Sequence, residues 1–145
     1  MKVIIRKLQE QDIEPLSRIE AESFSMPWTA QDFADLLQQS YCTYLVAEVE
    51  GQVVGSCGMR VLCNEGNIDN VVVAEPFRGQ GIAQKLLKEL IELGESEGVE
   101  AFTLEVRVSN APAIRVYEKL GFVSEGIRPK FYEKPTEDAM IMWRR

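Results

Sequence analysis

The sequence predicts a mixed α/β fold in which one β-sheet carries helices on both faces. Short runs rich in β-branched residues alternate with amphipathic helical segments in the order βααβββαβαββ. Glycine- or asparagine-containing turns separate the consecutive strands. The chain has 145 residues and 46% hydrophobic content, enough for a core of its own, so we expect residues 1–145 to form one domain.

The first three elements are predicted from alternation, caps and helical spacing. Residues 2–8 alternate as a strand does, and Asp12 can cap a helix. The inward positions of that helix are predicted to be Ile13, Leu16, Ile19 and Ala21. Residues 24–28 break it, and Thr29 begins a second helix with Asp32 as its capping-box acid.

The remaining elements are predicted from runs bounded by turns. We expect strands over residues 41–50, 53–62 and 68–73, with turns at residues 50–52 and 65–67. A helix over residues 81–97 should stop at Gly98, and a strand should follow over residues 101–106. Asn110 should cap a short helix that Gly121 ends, and the last strands should flank a polar excursion at residues 128–138.

The most informative segment is VVVAEPFRGQGIA, residues 71–83, where a buried strand leads through a glycine-rich turn into a helix. The first N–H groups of a helix lack internal partners and lie at its positive end, so such a turn can hold phosphate. Arg78 adds a charge suited to phosphate oxygens. The segment is not a P-loop, nor a dinucleotide fingerprint, since Gln84 stands where the last glycine belongs. The alternative is a helix-start turn whose glycines serve geometry only.

Composition excludes several kinds of chemistry. The chain has no histidine, which excludes Ser-His-Asp and Cys-His catalysis and most zinc sites, and we expect no metal. The net charge of −7 argues against direct binding to nucleic acid. Three cysteines without a Cys-x-x-Cys pair indicate reduced thiols in the cytoplasm. The first residues are charged too early for a signal peptide, and no apolar run is long enough to span a bilayer.

Two side chains could carry proton chemistry. Glu105 is the one carboxylate in the predicted strand at residues 101–106, and it lies opposite the apolar face of that strand. It is either used or simply exposed at a strand end. Tyr117 lies on the apolar stripe of the short helix, where a core aromatic is the alternative to a phenol that donates a proton.

Five stretches together resemble the GCN5-related N-acetyltransferases, the GNAT family. The turn matches the family's Arg/Gln-x-x-Gly-x-Gly/Ala pyrophosphate motif, with Ala83 in place of the second glycine. A more specific match is LEVRVSNAPAIRVYEKLGF at residues 104–122, supported by FSMPW at 24–28, RPKFY at 128–132 and EDAMIM at 137–142. These resemble the branch that acetylates the N-terminal alanine of small-subunit ribosomal protein number eighteen. The resemblance covers nearly the whole chain.

The resemblance implies a fold with splayed central parallel strands and acetyl-CoA as co-substrate. Glu105 would be the general base, acting through water, and Tyr117 the general acid for the coenzyme A thiolate. Asp69 is the second candidate for the base, because other branches place an acid near this position. The coenzyme would be held by the backbone at Val71, Val72 and Val73, by Arg78 and Asn110, and by the turn residues Gly79, Gln80, Gly81, Ile82, Ala83 and Gln84.

The resemblance also implies an acceptor cleft between residues 24–28 and 131–138. Trp28, Phe131 and Tyr132 would form its walls, and Glu137 and Asp138 could attract the basic N-terminal peptide of a ribosomal protein. Transfer is expected to be direct, and a monomer is favoured. Two alternatives remain: a GNAT enzyme for a lysine side chain, polyamine or small amine, or an acyl-CoA-binding module without catalysis.

Overall fold

The structure is a computed structural model that describes residues 2–145. The helices are α1 (Ile13–Ser23), α2 (Ala30–Leu36), α3 (Ile82–Ser96) and α4 (Ala111–Lys119). The strands are β1 (Val3–Lys7), β2 (Cys42–Val49), β3 (Gln52–Leu62), β4 (Glu65–Val73), β5 (Ala101–Arg107), β6 (Val123–Tyr132) and β7 (Glu137–Arg144). They follow the predicted order of elements.

All seven strands lie in one sheet, in the order β1-β2-β3-β4-β5-β7-β6. The pairing of β4 with β5 is parallel, and the other five pairings are antiparallel. Each face of the sheet has its own core, because alternate strand residues point to opposite sides. Leu45 and Ala47 of β2 pack in the core that contains α3, while Tyr44 and Val46 pack in the core that contains α1 and α2.

The central pair of strands separates after a short ladder. Only residues 65–67 of β4 pair with residues 101–103 of β5, although β4 continues to Val73 and β5 to Arg107. The N–H of Ala74 donates to Val54 on β3 at 2.7 Å. Alternation therefore turns the backbone of Val72 toward β3 and the backbones of Val71 and Val73 toward the gap beside β5. Unpaired backbone groups thus line the gap.

The predicted caps of α2 and α4 are confirmed. Thr29 and Asp32 form a reciprocal capping box, with Thr29 N–H donating to Asp32 at 2.8 Å. Asn110 accepts a hydrogen bond from the Ala113 N–H at 3.3 Å as the N-cap of α4. No helix within residues 2–145 is both long and apolar enough to cross a membrane.

Two predictions about α1 are wrong. The Asp12 side chain does not cap the helix; it is 2% exposed and accepts two hydrogen bonds from Arg6, at 2.7 and 3.0 Å. A bidentate pair with a guanidinium outweighs a cap at this position. Ala21 faces solvent, and the inward position is taken by Glu20.

Two predicted loops are also wrong, because strand pairing extends through them. Residues 65–67 open β4 and pair with both β3 and β5, while the turn lies at Cys63 and Asn64, which have φ of 51° and 64°. The polar excursion at residues 128–138 shrinks, since β6 runs to Tyr132 and β7 begins at Glu137. These strands pair across two irregularities in register.

Candidate active site

A cavity of about 790 Å³ opens where β4 and β5 separate. Its walls come from residues 23–26 and Trp28, from β4, from residues 104–107 of β5, from α4, and from the loop between β6 and β7. Both predicted catalytic residues, Glu105 and Tyr117, line it. The end of β5 and the helix α4, which follow each other in the chain, therefore contribute to one cavity.

Glu105 is half-buried on β5 with its carboxyl group at the cavity. Burial, with the nearby negative charge of Asp69, raises the pKa of Glu105 above its ordinary value. Asp69 is not among the residues that line the cavity and is paired with Arg60 at 3.1 Å. The geometry therefore favours Glu105 over Asp69 as the group that meets a substrate.

Tyr117 combines a core position with contact to the cavity. It is 7% exposed, and its ring lies edge-on to Phe122 with centroids 6.0 Å apart. Burial raises the pKa of its phenol well above the ordinary value. Tyr117 thus packs in the core, as one interpretation predicted, and it also lines the cavity; that its phenol donates a proton stays a prediction.

The glycine-rich turn leaves backbone N–H groups open at the start of α3. Gly79 and Gly81 have φ of 77° and 80°, which L side chains rarely adopt, and Gly81 is the N-cap. A second cavity, of about 310 Å³, lies against this turn. It is lined by Val3, Gln80, Gly81, Ile82, Gln84, Lys85 and Lys88. The N–H groups at the start of α3 and the side chains of Lys85 and Lys88 on the same helix therefore meet at this cavity.

Arg78 ties the turn to the rest of the site. Its Nε donates to the Val73 carbonyl oxygen at 2.8 Å, and its Nη2 donates to Ser23 Oγ at 3.0 Å. The guanidinium thus joins the ends of β4 and α1. One acceptor of the splayed strand, the Val73 carbonyl oxygen, is already used by this contact.

The predicted acceptor walls meet at the larger cavity. Trp28, Phe131, Tyr132 and Glu137 line it, whereas Asp138 does not and accepts instead from the Lys130 N–H at 2.9 Å. Glu137 accepts hydrogen bonds from the Ser109 N–H at 2.8 Å and from Arg107 at 3.2 Å, and they lower its pKa. The carboxylate of Glu137 is therefore already bound by Ser109 and Arg107.

Comparison with known proteins identifies the family. Residues 13–122 match the family described as Acetyltransferase (GNAT) family. The chain belongs to the GNAT family. It is 38% identical, over 98% of its length and 95% of the other protein, to a proposed ribosomal protein bS18-alanine N-acetyltransferase of Bacillus subtilis strain 168. It is 34% identical to the Escherichia coli K12 ribosomal protein bS18-alanine N-acetyltransferase, over 95% of the chain and 94% of that protein.

Solved structures agree with this assignment. The crystal structure of the ribosomal-protein-S18-alanine N-acetyltransferase from Escherichia coli superposes with a TM-score of 0.91 at 32% identity, covering 99% of this chain and 93% of that one. The GNAT chain is thus an N-acetyltransferase of mixed α/β fold. Enzymes of this family use acetyl-CoA as co-substrate.

Sequence reasoning missed three residues that shape the site of this GNAT enzyme. Glu20 and Asn70 line the cavity and are hydrogen-bonded to each other at 3.2 Å. Arg107 donates to Pro135 and Glu133 carbonyl oxygens, both at 3.0 Å. Sequence signals exist for two of the three. Glu20 lies one helical turn after the inward Leu16, and Arg107 is two residues after Glu105 on the same side of β5.

Proposed function

We propose that this GNAT enzyme transfers the acetyl group of acetyl-CoA to the α-amine of the N-terminal alanine of ribosomal protein bS18. The observation that carries the proposal is the single cavity at the splay of β4 and β5, which Glu105, Tyr117 and the predicted acceptor walls all line. The named activity of relatives aligned over almost the whole chain supports it.

The coenzyme is proposed to lie along the gap, with its thioester at the larger cavity and its diphosphate at the turn. The Val71 and Val73 backbones face the gap and suit the acetyl and pantetheine groups, while Val72, paired with β3, supports them from behind. The turn at residues 79–84 suits the diphosphate. Arg78 holds the turn against β4, and Asn110, at the cavity, would contact the coenzyme arm.

Glu105 is proposed to remove the proton from the acceptor amine through water. An α-amine has a pKa of about 8, so it is mostly charged at neutral pH and must be deprotonated before it can attack. The raised pKa of Glu105 makes its carboxylate a stronger base than an exposed glutamate. Once Glu105 has taken the first ammonium proton, the neutral amine nitrogen bonds to the acetyl carbon, and the nitrogen releases its second proton to water as the amide forms.

Tyr117 is proposed to protonate the leaving sulfur. As the C–S bond breaks, the electron pair stays on sulfur, and a phenol held in its protonated form can supply the proton. Transfer is direct, within a ternary complex. None of the three cysteines lines the cavity, and Cys57 is completely buried, which disfavours a covalent acetyl-cysteine intermediate.

The acceptor is proposed to be a basic peptide that enters between residues 24–28 and the β6–β7 loop. Aromatic walls and a net charge of −7 suit a peptide that carries Lys or Arg after a small first residue. Action on a ribosomal protein places the enzyme in the cytoplasm, and we propose that a monomer acts without contacting nucleic acid directly.

An acceptor panel tests this function. An alanine-initiated basic peptide with the bS18 N-terminal sequence is incubated with acetyl-CoA beside its N-terminally blocked form, a lysine peptide and a polyamine. We expect a gain of about 42 Da on the free-amine peptide and none on the blocked one. A gain only on lysine or polyamine would assign another acceptor. Coenzyme binding without transfer to any amine would indicate a binding module instead.

A further inference from the structure

Glu20 is a buried carboxylate with an unsatisfied oxygen. It lies on α1, is 1% exposed, and its Oε1 accepts hydrogen bonds from the Trp28 N–H at 3.1 Å and from Asn70 at 3.2 Å. Its Oε2 is buried and has no hydrogen-bond partner. None of the ion pairs formed by residues 2–145 includes Glu20.

An ionised carboxylate in such a buried position is energetically unfavourable unless a cation or a hydrogen-bond donor pairs with it. A buried carboxylate loses its hydration, and two hydrogen bonds on one oxygen leave the other uncompensated. Burial accordingly raises the pKa of Glu20 to about 7. Burial, and after it the charge of Glu20, raises the pKa of Tyr44, whose hydroxyl group is also buried without a hydrogen-bond partner.

The position of Glu20 indicates where a partner would come from. Glu20 lines the same cavity as Glu105, on the wall formed by α1 and residues 24–28, with Asn70 and Val71 of β4 also on its surface. Four glutamates line this cavity, Glu20, Glu105, Glu133 and Glu137, and Glu20 is the buried one among them. General-base chemistry uses one of them, which leaves Glu20 without a role in the proposed reaction.

We propose that Glu20 binds the positively charged α-ammonium group of the acceptor through its Oε2 atom. This assignment rests on the proposed function. The approaching cation stabilises the ionised form of Glu20, so that an ion pair forms within the cavity. The bonds to Trp28 and Asn70 hold Oε1 in place while the carboxylate turns its buried Oε2 toward the ligand. Glu105 then receives the proton from the held amine.

The same contact distinguishes substrate from product. Deprotonation removes the charge of the ammonium before attack, and acetylation leaves a neutral amide, so the product cannot form the ion pair with Glu20. A free N-terminus is therefore bound more tightly than its acetylated counterpart. The absence of the ion pair in the product favours release of the product.

The test is calorimetric binding to the enzyme saturated with coenzyme A, which needs no turnover. Two probes are compared: the alanine-initiated basic peptide and the same peptide acetylated at its N-terminus. Glu20→Gln keeps an oxygen for Trp28 and Asn70 but removes the charge. Glu22→Gln, on the exposed side of the same helix, makes the same charge change and serves as the matched control.

We expect Glu20→Gln to weaken binding of the free-amine peptide by about tenfold or more and to leave binding of the acetylated peptide unchanged. Glu22→Gln should change neither. An equal loss for both peptides would mean that Glu20 only shapes the wall, and no loss for the free-amine peptide would equally overturn the proposal. Thermal unfolding verifies that both variants are folded.

Failure of the proposed acceptor would look different. The wild-type enzyme would then bind neither peptide, and the acceptor panel would show transfer to another amine. The same comparison is in that case made with that amine and its acetylated form, where a selective loss in Glu20→Gln supports the role of Glu20 and an unselective one refutes it.

Discussion

At the residue scale, burial raises the pKa of both Glu105 and Tyr117, with opposite chemical consequences. For the carboxyl group, a raised pKa strengthens the base that must take a proton from an amine. For the phenol, it keeps the hydroxyl group protonated but makes it a weaker acid, so donation depends on the negative charge that develops on sulfur. One cavity lined by both groups can therefore supply a base and an acid without any histidine.

Removing either group should slow the chemical step and spare coenzyme binding. We expect Glu105→Gln and Tyr117→Phe each to lower kcat by about two orders of magnitude, since general acid–base groups contribute on that scale. Steady-state kinetics measures kcat, and calorimetry with coenzyme A should give an unchanged Kd. Unchanged turnover in both variants would remove these two role assignments.

The pH dependence should distinguish Glu105 from Asp69. Glu105 acts when deprotonated, so kcat falls as pH falls through its pKa, which the charge of Asp69 raises. Asp69→Asn removes that charge and should move the acidic limb of the kcat profile to lower pH. Glu105→Gln should abolish this limb. If Asp69→Asn abolished it instead, Asp69 would be the base.

At the scale of elements, two arginines outside the reacting centre, Arg6 and Arg107, connect the elements that form the walls of the cavity. Asp12 connects the start of α1 to β1 through Arg6, which also contacts Glu48 on β2 at 3.0 Å. Arg107 connects β5 to the β6–β7 loop, with its guanidinium 4.5 Å from the centre of the Tyr132 ring. Arg6 thus holds α1 against the sheet, and Arg107 holds the β6–β7 loop against β5.

Loss of the Asp12 contact should reduce stability in a pH-dependent way. Burial opposes ionisation of Asp12, but hydrogen bonds from Arg6 and the Gln9 N–H lower its pKa below the ordinary value. Wild-type stabilisation is therefore complete above the unfolded-state pKa and is lost as pH falls through the lower folded-state pKa. We expect Asp12→Asn to cost about 2 kcal/mol at neutral pH and progressively less below about pH 4.

Urea unfolding over a range of pH measures this difference. Asp35→Asn, on the exposed side of α2, is the control and should change the free energy of unfolding little. A constant deficit of Asp12→Asn down to the most acidic pH would contradict the proposed linkage.

Loosening the loop should impair acceptor binding selectively. Arg107→Lys cannot reproduce a fork that reaches both Pro135 and Glu133 while stacking on Tyr132. We expect KM for the peptide to rise by about tenfold, with KM for acetyl-CoA unchanged. Arg115→Lys, on the exposed face of α4, provides the comparison. Equal effects on both KM values would mean that the loop also supports the coenzyme.

The elements that sequence alone predicted are those with local causes. The Thr29–Asp32 capping box and the Asn110 cap involve residues three positions apart, so the sequence contains the whole interaction. The extent of β6 depends on pairing with β7 and on an exposed edge that tolerates Pro129, which no short window contains. Glu20 was missed because its burial depends on the Trp28 segment and on β4.

At the scale of the whole molecule, the sheet consists of two parts joined by a short parallel ladder. Strands β1–β4 form one part and β5–β7 the other, and residues 65–67 pair with residues 101–103 between them. The gap beyond this ladder contains backbone groups that no strand pairs. A ligand that fills the gap takes the place of the missing ladder, which links binding to the stability of the central strands.

Hydrogen exchange should therefore resolve two separate ligand footprints. Acetyl-CoA should slow exchange at Val71 and Val73, whose amides face the gap, and at residues 79–84, while Val72, already paired with β3, should change little. The acceptor peptide, added with coenzyme A, should slow exchange at residues 24–28 and 131–134. Protection confined to the turn would place the thioester outside the gap. Equal slowing at Val72 and at its neighbours would mean that the coenzyme stiffens β4 as a whole without hydrogen-bonding to its open side.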